Sequence, residues 1–447
     1  MSVKDKASFI LVPSRYKANT IYPYRGTVLD TFVRSGSTTR YDEDGNLSTV
    51  SSGVPSVDFR LGHPELVLEQ NTTNLLVYST TFSSSWAVSQ ATATGSYGIS
   101  PTGGNDSVLL TEDSTTNEHQ ILLALTSTTS GVKYSFSVFA KKAYGSRRLK
   151  LKIGCGGGEH RAIFDLDSKK VIDISAGATS ESYVEDWGNG WLRCVMVYTS
   201  SVSGTGQCHQ IMLCPTHTNE NTYLGDGVSS LEIYGAQLEA FNRATSYIPT
   251  TSSAASRTDD ERFSGKNIYA DLNNKQGTIY IDYKQDSGLL PSGHGIICHI
   301  TGTGGDELQI GNANTNDLYF AMWRNGTGML FNQAYTGIDV NDRIRVVASW
   351  DGTVANLYLN GKRVNTAAMS NVPTSLNELA ISYYIFSGGY HYYTRLKEMA
   401  IFTTALSEDE CVALSSFDSY DDVVDRKGLT WGTKSITDAR MTALRSL

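Results

Sequence analysis

Apolar and polar residues alternate with a period of two over several stretches of the chain. In RRLKLKIG, Leu149, Leu151 and Ile153 fall on one face between basic residues, and WLRCVMVYTS alternates in the same way. Because residues i and i+2 of a strand share a face, this spacing predicts antiparallel strands with one face in a core. We therefore expect an all-β protein with two antiparallel β-sandwich (jelly-roll) domains.

The stretch VASWDGTVANLYLNGKRV, residues 347–364, predicts a hairpin with a fixed register. Asp351-Gly352 joins two strand-like runs and Asn360-Gly361 ends the second, and these residue pairs favour tight turns because they tolerate positive φ. Trp350, Leu357 and Leu359 are expected in the core, with Tyr358 on the opposite face. The stretch contains no candidate nucleophile, metal-ligand set or phosphate-binding loop, so function is expected on the loops that such a scaffold carries.

A short helix is predicted near the end of the chain. Ser407 can cap it, and Glu410 can reach back to the amide of the cap, which is the capping-box pattern before an apolar run. SITDARMTALRSL, residues 435–447, can form one more short helix, but a helix of this length needs a partner to persist.

Changes in composition along the chain predict five segments. Pro-punctuated residues 1–75 form an extended N-terminal leader, with too few apolar residues to bury a core alone. The small, polar stretch TTSSAASRTDDERFSGK indicates a linker. The predicted segments are a leader at 1–75, a β-sandwich at 76–250, a linker at 251–266, a jelly roll at 267–414 and a C-terminal tail at 415–447.

Charge and cysteine usage narrow the function classes. The 447 residues carry a net charge of -8, which argues against nucleic acid as a partner. No secretory signal and no apolar run long enough to cross a bilayer occurs in the sequence, so we expect synthesis in the cytoplasm and no membrane insertion. Six scattered cysteines in a chain of this size predict reduced, mostly buried thiols.

Several segments of the second domain resemble a carbohydrate-binding-like module of tail and fibre proteins in tailed bacteriophages. They are QNTTNLLVYSTTFSSSWAV, YSFSVFAKKA, EDWGNGWLRCVMV and LEIYGAQLEAFNRATSYIPTTSSAASR. GAQLE followed by ATSYIPT, shortly before a Ser/Thr-rich hinge, is the most specific part. The N-terminal ILVPSRYK, FVRSGSTTRYDEDGNLSTV and LVLEQNTTNLL are similar to the leader of such proteins, although Gln70-Asn71-Thr72 stands where those leaders often carry a Pro and a basic residue.

The third domain resembles a laminin-G-type, concanavalin-like jelly roll. The matching segments are RIRVVASWDGTVANLYLNGKRV and LKEMAIFTTALSEDECVAL. With the two preceding resemblances, the matches leave only the tail from about residue 415 unplaced.

These resemblances imply a virion structural protein, either a fibre or a component of the tail or head surface. Such a protein is expected to form a homotrimer, to contact other virion proteins and to bind host-surface polysaccharide without a cofactor and without catalysis. The alternative is a purely architectural protein, for instance a head fibre or tail collar, that contacts only other virion proteins.

Two aromatic stretches are candidate glycan sites, because pyranose faces stack on aromatic rings while polar groups bind the hydroxyls. AMWRNGTG supplies one and ISYYIFSGGYHYYTR the other. The alternative for each is a strand whose aromatic residues are half buried. The candidate residues are Trp323, Arg324 and Asn325, together with Tyr390, His391, Tyr392 and Tyr393.

Charged positions supply two further candidate sites. The basic face formed by Arg147, Arg148, Lys150 and Lys152 can meet an anionic surface polysaccharide, or it is simply a solvated strand face. Asp306 and Glu307, near the start of a strand, are candidate calcium ligands of the kind that some laminin-G folds carry.

Other chemistry is disfavoured by spacing. In QCHQIMLCPTH, Cys208 and Cys214 would lie on the order of 20 Å apart along a strand, too far for one zinc ion. GCGGGEH lacks the Gly-Lys-Ser/Thr ending of a phosphate loop. The acidic clusters at 259–261 and 408–410 are expected to face solvent, and no GxSxG turn marks a nucleophile. A depolymerase assembled from distant residues is the remaining enzymatic alternative.

Overall fold

The computed structural model describes most of the chain. The described residues are 3–13, 16–17, 20–154, 160–175, 181–215, 222–257, 262–272, 275–285, 295–314, 317–331, 343–369, 372–382 and 394–417. Within these ranges the protein is all-β with antiparallel sheets, which confirms the predicted fold class. No helix in this part of the chain is long and apolar enough to span a membrane.

The strands are short and follow one another closely. The first half of the chain holds β1 (Phe9–Leu11), β2 (Tyr16–Lys17), β3 (Thr20–Ile21), β4 (Thr31–Val33), β5 (Thr38–Tyr41), β6 (Leu47–Val50), β7 (Ser56–Asp58), β8 (Glu65–Leu68), β9 (Thr72–Asn74), β10 (Trp86–Ser89), β11 (Ala91–Thr94), β12 (Val108–Glu112), β13 (Thr116–Asn117), β14 (Gln120–Thr128), β15 (Lys133–Tyr144), β16 (Arg148–Gly154), β17 (His160–Asp165), β18 (Lys170–Ile174), β19 (Tyr183–Asp186), β20 (Leu192–Thr199) and β21 (Gly204–Cys214).

The second half continues the pattern and ends in a helix. It holds β22 (Tyr223–Leu224), β23 (Ser230–Glu239), β24 (Ala255–Arg257), β25 (Arg262–Lys266), β26 (Gly277–Gln285), β27 (Gly295–Gly302), β28 (Glu307–Asn314), β29 (Asp317–Arg324), β30 (Thr327–Phe331), β31 (Arg343–Trp350), β32 (Val354–Leu359), β33 (Lys362–Ala368), β34 (Leu376–Ile381), β35 (Thr394–Phe402) and α1 (Glu408–Ser415). Single 3-10 turns occur at Val3–Lys6, Ile268–Asp271 and Thr303–Gly305.

The chain divides into two compact units, each built from separate segments. Unit 1 comprises Met1–Ser37, Val50–Gln70 and Asp259–Leu447, and unit 2 comprises Thr38–Thr49 and Asn71–Thr258. The chain therefore passes between the units four times. This differs from the sequence-based division, which places residues 1–75 in a leader of their own.

Unit 1 is a jelly roll of two antiparallel sheets. One sheet has the order β33-β32-β31-β26-β35-β8-β7, with β1 also paired to β35, and the other has the order β30-β29-β28-β27-β34-β25-β4. Alternate residues of both sheets form one apolar core. Trp350, Leu357 and Leu359 lie in this core, as expected from the sequence.

The N-terminal residues contribute strands to unit 1 instead of forming an extended leader. Phe9 of β1 pairs with Ile401, Leu66 of β8 pairs with Leu396, and Phe32 of β4 pairs with Phe263. The physical reason follows from the composition: these residues are too few for a core of their own, and they bury their apolar side chains in the jelly-roll core.

The predicted linker at 251–266 also forms strands in part. Ala255–Arg257 pairs with Thr72–Asn74, and Arg262–Lys266 lies between β34 and β4. Small Ser and Thr residues suit a flexible linker and a strand equally, so composition could not separate the two.

Unit 2 is a sandwich of two six-stranded sheets around a single core. The sheet orders are β10-β14-β21-β16-β17-β18 and β11-β12-β23-β15-β20-β19. The predicted alternation holds, because Leu149, Leu151 and Ile153 of β16 all face this core. The hairpin β5–β6 packs on the outside of the second sheet through Leu47, which meets Trp187 and Trp191.

The signature GAQLE–ATSYIPT forms a buried polar network that closes unit 2. The Glu239 carboxylate accepts hydrogen bonds from Gln237 Nε2 at 2.7 Å and from Thr245 N at 2.9 Å and Oγ1 at 2.5 Å. Gln237 Oε1 accepts from Ile248 N at 2.7 Å. Burial of the Glu239 carboxylate raises its pKa, although these hydrogen bonds oppose the shift. The signature is thus structural.

Asn74, from the matching segment QNTTNLL, completes this network with both ends of its amide. Its Nδ2 donates to the carbonyls of Ala236 and Ile248 at 3.1 and 2.9 Å. Its Oδ1 accepts from the amides of Leu76 and Leu238 at 3.2 and 3.1 Å. One buried side chain therefore joins the beginning and the end of unit 2.

The tight turn and the capped helix predicted towards the end of the chain are both confirmed. Asn360 and Gly361 have φ of 48° and 84°, as a tight two-residue turn requires. Ser407 and Glu410 form the capping box of α1. Tyr358 packs against α1, on the face opposite Leu357 and Leu359. The proposed helix in the C-terminal tail lies outside the described residues.

The cysteines deviate from expectation at one position. Cys194, Cys214, Cys298 and Cys411 form no disulfide and are buried. Cys208 forms a disulfide whose partner lies outside the described residues, so the prediction that all six thiols are reduced is wrong there. A cysteine count along the chain does not reveal which residues adjacent strands bring together.

Candidate functional site

The hairpin β29–β30 presents one of the two predicted glycan candidates at its tip. Asn325 and Gly326 form its two-residue turn, with φ of 50° and 73°. Arg324 and Asn325 are exposed, and Trp323 is half-buried on the face of β29 that points away from the core. The three candidate residues are thus together at an exposed turn.

A buried aspartate holds this turn in place. Asp306, 1% exposed, accepts a hydrogen bond from the Asn325 amide through Oδ1 at 3.2 Å. Its Oδ2 accepts from the amides of Thr374 and Ser375 at 2.6 and 3.0 Å, and from their hydroxyls at 3.2 and 3.1 Å. Gly326 also donates to the Gly305 carbonyl at 3.1 Å. Two neighbouring loops therefore anchor the tip.

The charge of Asp306 matches this role. Burial by itself would raise the pKa of Asp306, but the amide of Thr374, the amide of Asn325 and the hydroxyl of Ser375 outweigh burial and hold the pKa below its usual value. The carboxylate is therefore ionised at neutral pH, and its hydrogen bonds are charge-assisted. Such an anchor limits motion of the tip.

A row of linked polar side chains crosses three strands beside Trp323. Glu307, which lies opposite Trp323 in the sheet, joins His299 Nε2 at 3.1 Å and accepts from Gln309 Nε2 at 2.9 Å. Tyr319 donates its hydroxyl proton to Gln309 Oε1 at 3.0 Å. Sequence reasoning missed this row, because its members are neighbours only once β27, β28 and β29 pair.

The arrangement suits recognition better than catalysis. The partly exposed Trp323 indole offers a stacking surface, and the exposed Arg324 and Asn325, which follow it along the chain, offer hydrogen-bond donors. The second glycan candidate, Tyr390, His391, Tyr392 and Tyr393, lies outside the described residues, as 383–393 are not described.

The calcium candidates have other partners in this structure. Both oxygens of Asp306 accept the protein hydrogen bonds given above, and Glu307 binds His299 and Gln309. A calcium ion would have to displace these donors from the same oxygens. The described residues contain no group of three or more His, Cys, Asp or Glu side chains that could hold a metal ion.

The predicted basic face is partly to fully buried, and three of its four side chains pair with acids. Arg147 binds Glu112 through Nε at 2.8 Å and Nη2 at 2.5 Å, and Arg148 lies 3.3 Å from Asp165. Lys152 donates to Glu118 at 3.0 Å, and Lys150 is 0% exposed. Apolar and basic residues alternate as predicted, but acidic residues of other strands and loops neutralise Arg147, Arg148 and Lys152.

The segment QCHQIMLCPTH, considered above as a zinc site, contains a buried neutral histidine. His209 packs edge-on against Phe136, with ring centroids 5.2 Å apart, and its Nε2 lies 3.2 Å from the Tyr198 hydroxyl. Cys208 is disulfide-bonded, Cys214 is buried and forms no disulfide, and His217 lies outside the described residues. Burial lowers the pKa of His209 to about 3.

His209 is expected to make the protein sensitive to mild acid. The unfolded chain takes up a proton near pH 6.5, whereas folded His209 remains neutral until about pH 3, so stability falls as the pH drops through this window. His209→Gln, which cannot titrate there, should lose about 2 kcal/mol less unfolding free energy than the parent between pH 7 and pH 5. Urea unfolding at both pH values measures this, and equal losses would show that His209 is not responsible.

Two acids of unit 1, Asp282 and Glu65, are buried beside an arginine. Arg343 binds Asp282 through Nη1 at 2.9 Å and contacts Glu65 through Nη2, and side chains of all three are at most 1% exposed. Burial raises the pKa of Asp282 to about 6. Because a substrate cannot reach them, we assign these ion pairs to the packing of β8, β26 and β31.

Comparison with known proteins finds a family match in one part of the chain. Residues 257–411 match the family described as Laminin_G_3, the concanavalin A-like lectin/glucanases superfamily. No curated protein matches the sequence.

Solved structures with β-sandwich domains resemble parts of the chain weakly. The CBM40 of the Ruminococcus gnavus IT-sialidase is 16% identical with a TM-score of 0.28, covering 32% of this chain and 84% of that one. The NanB sialidase from Streptococcus pneumoniae is 13% identical with a TM-score of 0.30, covering 34% and 27%.

A third structure is domain 4 of AbnA, a GH43 extracellular arabinanase from Geobacillus stearothermophilus. It is 10% identical with a TM-score of 0.31, covering 39% of this chain and 83% of that one. These values are too low to transfer a ligand or an activity. The match over residues 257–411, together with the two sheets of unit 1, identifies a concanavalin-like, laminin-G-like jelly-roll domain and confirms that prediction.

Proposed function

We propose that this chain is a bacteriophage virion structural protein, a fibre or a component of the tail or head surface, that binds host-surface glycans through its jelly-roll domain. The resemblance of the N-terminal and central segments to phage fibre and tail proteins supports the virion role. The geometry of the β29–β30 tip supports the binding role.

One observation carries the glycan proposal: Trp323, Arg324 and Asn325 stand together on a turn that Asp306 anchors. A site whose ring and donors are already in place loses little conformational entropy when a sugar binds. The half-buried Trp323 ring can stack on a pyranose face, and Arg324 and Asn325 can donate hydrogen bonds to its hydroxyls.

The proposed mechanism is recognition without bond cleavage and without a cofactor. Single-site affinities for sugars are weak, and a homotrimer displayed in several copies would raise the overall affinity through effective concentration. The mass of the purified protein by light scattering tests the trimer, and a monomer at micromolar concentration would contradict it.

Trp323→Ala is expected to weaken binding to host-surface polysaccharide on the order of tenfold, because the stacking surface is lost. Trp323→Phe should retain part of the binding. The measurement is biolayer interferometry on immobilised polysaccharides from a panel of bacterial surfaces, with thermal melting to verify the fold. Tyr24→Ala, which removes a 56% exposed aromatic residue elsewhere in unit 1, is the matched control. Equal binding by parent and Trp323→Ala would reject this site.

The architectural alternative is favoured by a different observation. The most specific signature of the central segment forms the buried network around Glu239 and Asn74, so it reports a scaffold and not a ligand site. A complete lack of binding by the intact oligomer to the polysaccharide panel would support this alternative, with contacts only to other virion proteins. Release of reducing sugar from the same polysaccharides would instead support a depolymerase.

A further inference from the structure

An anchored loop in unit 2, residues 95–107 between β11 and β12, lies over the outer face of its sheet. Trp191 Nε1 donates to the Ile99 carbonyl at 3.1 Å, and Leu47 N donates to the Pro101 carbonyl at 2.7 Å. Ser107 Oγ donates to Glu232 Oε2 at 2.8 Å. The loop is thus fixed at three points to buried parts of the unit.

This loop carries two large exposed side chains, and one of them contacts a third exposed side chain on β15. Tyr97 is 38% exposed, Ile99 is 56% exposed, and Tyr144, the last residue of β15, is 53% exposed. The hydroxyl of Tyr97 donates to that of Tyr144 at 3.1 Å. The contact between the hydroxyls holds two exposed rings together on an anchored loop. A scaffold alone does not require such exposed apolar area, which often marks a binding surface.

The charged groups next to the tyrosines neutralise each other. Lys141 Nζ lies 3.2 Å from Glu232 Oε1, and the two residues are opposite each other on β15 and β23. Lys141 also lies over the Trp191 ring, 5.6 Å from its centroid. This paired charge favours a neutral ligand over an anionic one.

Gly98 lets the loop approach this ion pair. A Cβ at position 98 would come within 2.6 Å of Glu232 Oε2, so another residue would require either the Glu232 carboxylate or the loop to shift. Gly98 N also donates to Ser107 Oγ at 2.9 Å. Glycine therefore allows the loop between Tyr97 and Ile99 to lie against Glu232.

We propose that Tyr97, Ile99 and Tyr144 form a second saccharide-binding surface, on unit 2, for neutral oligosaccharides built of pyranose units. The rings supply stacking faces, and the paired hydroxyls supply a donor and acceptors for sugar hydroxyls. Tyr97 and Tyr144 meet at their hydroxyls, and the exposed Ile99 lies two residues after Tyr97. Three side chains fit one or two sugar rings better than a protein partner, whose interface buries about 800 Å² on each side. This surface goes beyond the proposed function, because it does not use the β29–β30 tip.

The test uses the full chain and saturation-transfer NMR. The probes are neutral oligosaccharides of two to six units containing glucose, galactose or N-acetylglucosamine. In a Trp323→Ala background, Tyr97→Ala/Tyr144→Ala is expected to lower the affinity on the order of tenfold or more. Tyr97→Phe/Tyr144→Phe keeps the rings and should stay within about threefold of its Trp323→Ala parent. Comparison of the two double variants separates loss of stacking from loss of the hydroxyl pair.

Each outcome decides between the two sites. Equal binding by Tyr97→Ala/Tyr144→Ala and its parent would overturn the second surface while leaving the β29–β30 site intact. Loss of binding only with the Tyr pair would support this surface and reject the tip. Absence of saturation transfer to every probe would overturn the surface as a site for neutral sugars. A change in oligomer mass caused by Tyr97→Ala/Tyr144→Ala would make the patch a protein interface.

Discussion

Residues 267–447, produced without the preceding chain, are expected not to fold. This fragment contains the whole jelly roll defined from sequence, but it lacks β1, β4, β7, β8 and β25. The missing part supplies several core side chains, which are Phe9, Leu11, Ile21, Leu29, Phe32, Leu66, Leu68 and Phe263. Each buried side chain contributes about 1.5–3 kcal/mol, so their loss matches or exceeds the roughly 5–15 kcal/mol that keeps a domain folded.

A matched deletion, which keeps the N-terminal strands and removes most of unit 2, provides the complementary test. Thr72 pairs with Arg257, so the ends of the 71–258 segment lie next to each other. A chain in which a short Gly/Ser linker replaces 71–258 retains all strands of the jelly roll and should fold. Circular dichroism and soluble yield compare the two fragments. A cooperative melt of 267–447 alone would contradict the view that the N-terminal strands are part of the jelly roll.

Asn74→Leu is expected to destabilise unit 2 by on the order of 3–5 kcal/mol. The side chain is 0% exposed, and its loss leaves two backbone carbonyls and two backbone amides without partners. A buried polar group without a hydrogen bond costs about 1–3 kcal/mol, and partial relaxation limits the sum. Chemical denaturation, followed by tryptophan fluorescence, measures the change.

Asn117→Leu is the control for this substitution. Asn117 lies in the short strand β13 of the same unit and is exposed. The same change of residue type should therefore shift stability by no more than about 0.5 kcal/mol. If both variants lost equal stability, the effect would come from leucine as such, and the proposed closing role of Asn74 would be rejected.

Sequence patterns predicted the strands and turns well, because those signals are local. The alternation around Leu149, the turn at Asn360-Gly361 and the capping box at Ser407 each depend on residues within a few positions. The division into segments differs from the structure, since pairing between Phe9 and Ile401 joins residues that lie 392 positions apart. Composition windows cannot detect such pairing.

The candidate sites show the same limit. Trp323, Arg324 and Asn325 were found because they are consecutive and precede a glycine turn. The acidic partners of the basic face could not be predicted, because Glu112 and Glu118, which pair with Arg147 and Lys152, are distant in the sequence. Tyr97 and Tyr144 are 47 positions apart, and only the fold of unit 2 brings their hydroxyls together. An exposed tyrosine next to Gly98 was the one signal available.

The four passages of the chain between the units have a consequence for resistance to proteolysis. A protease that cuts one passage releases no folded half. After a cut between residues 258 and 259, the amino-terminal piece still holds β1, β4 and β8, which remain hydrogen-bonded to β35 and β25 of the other piece. Such a cleaved molecule keeps its two pieces together through strand pairing, so a single cut does not separate the two sandwiches.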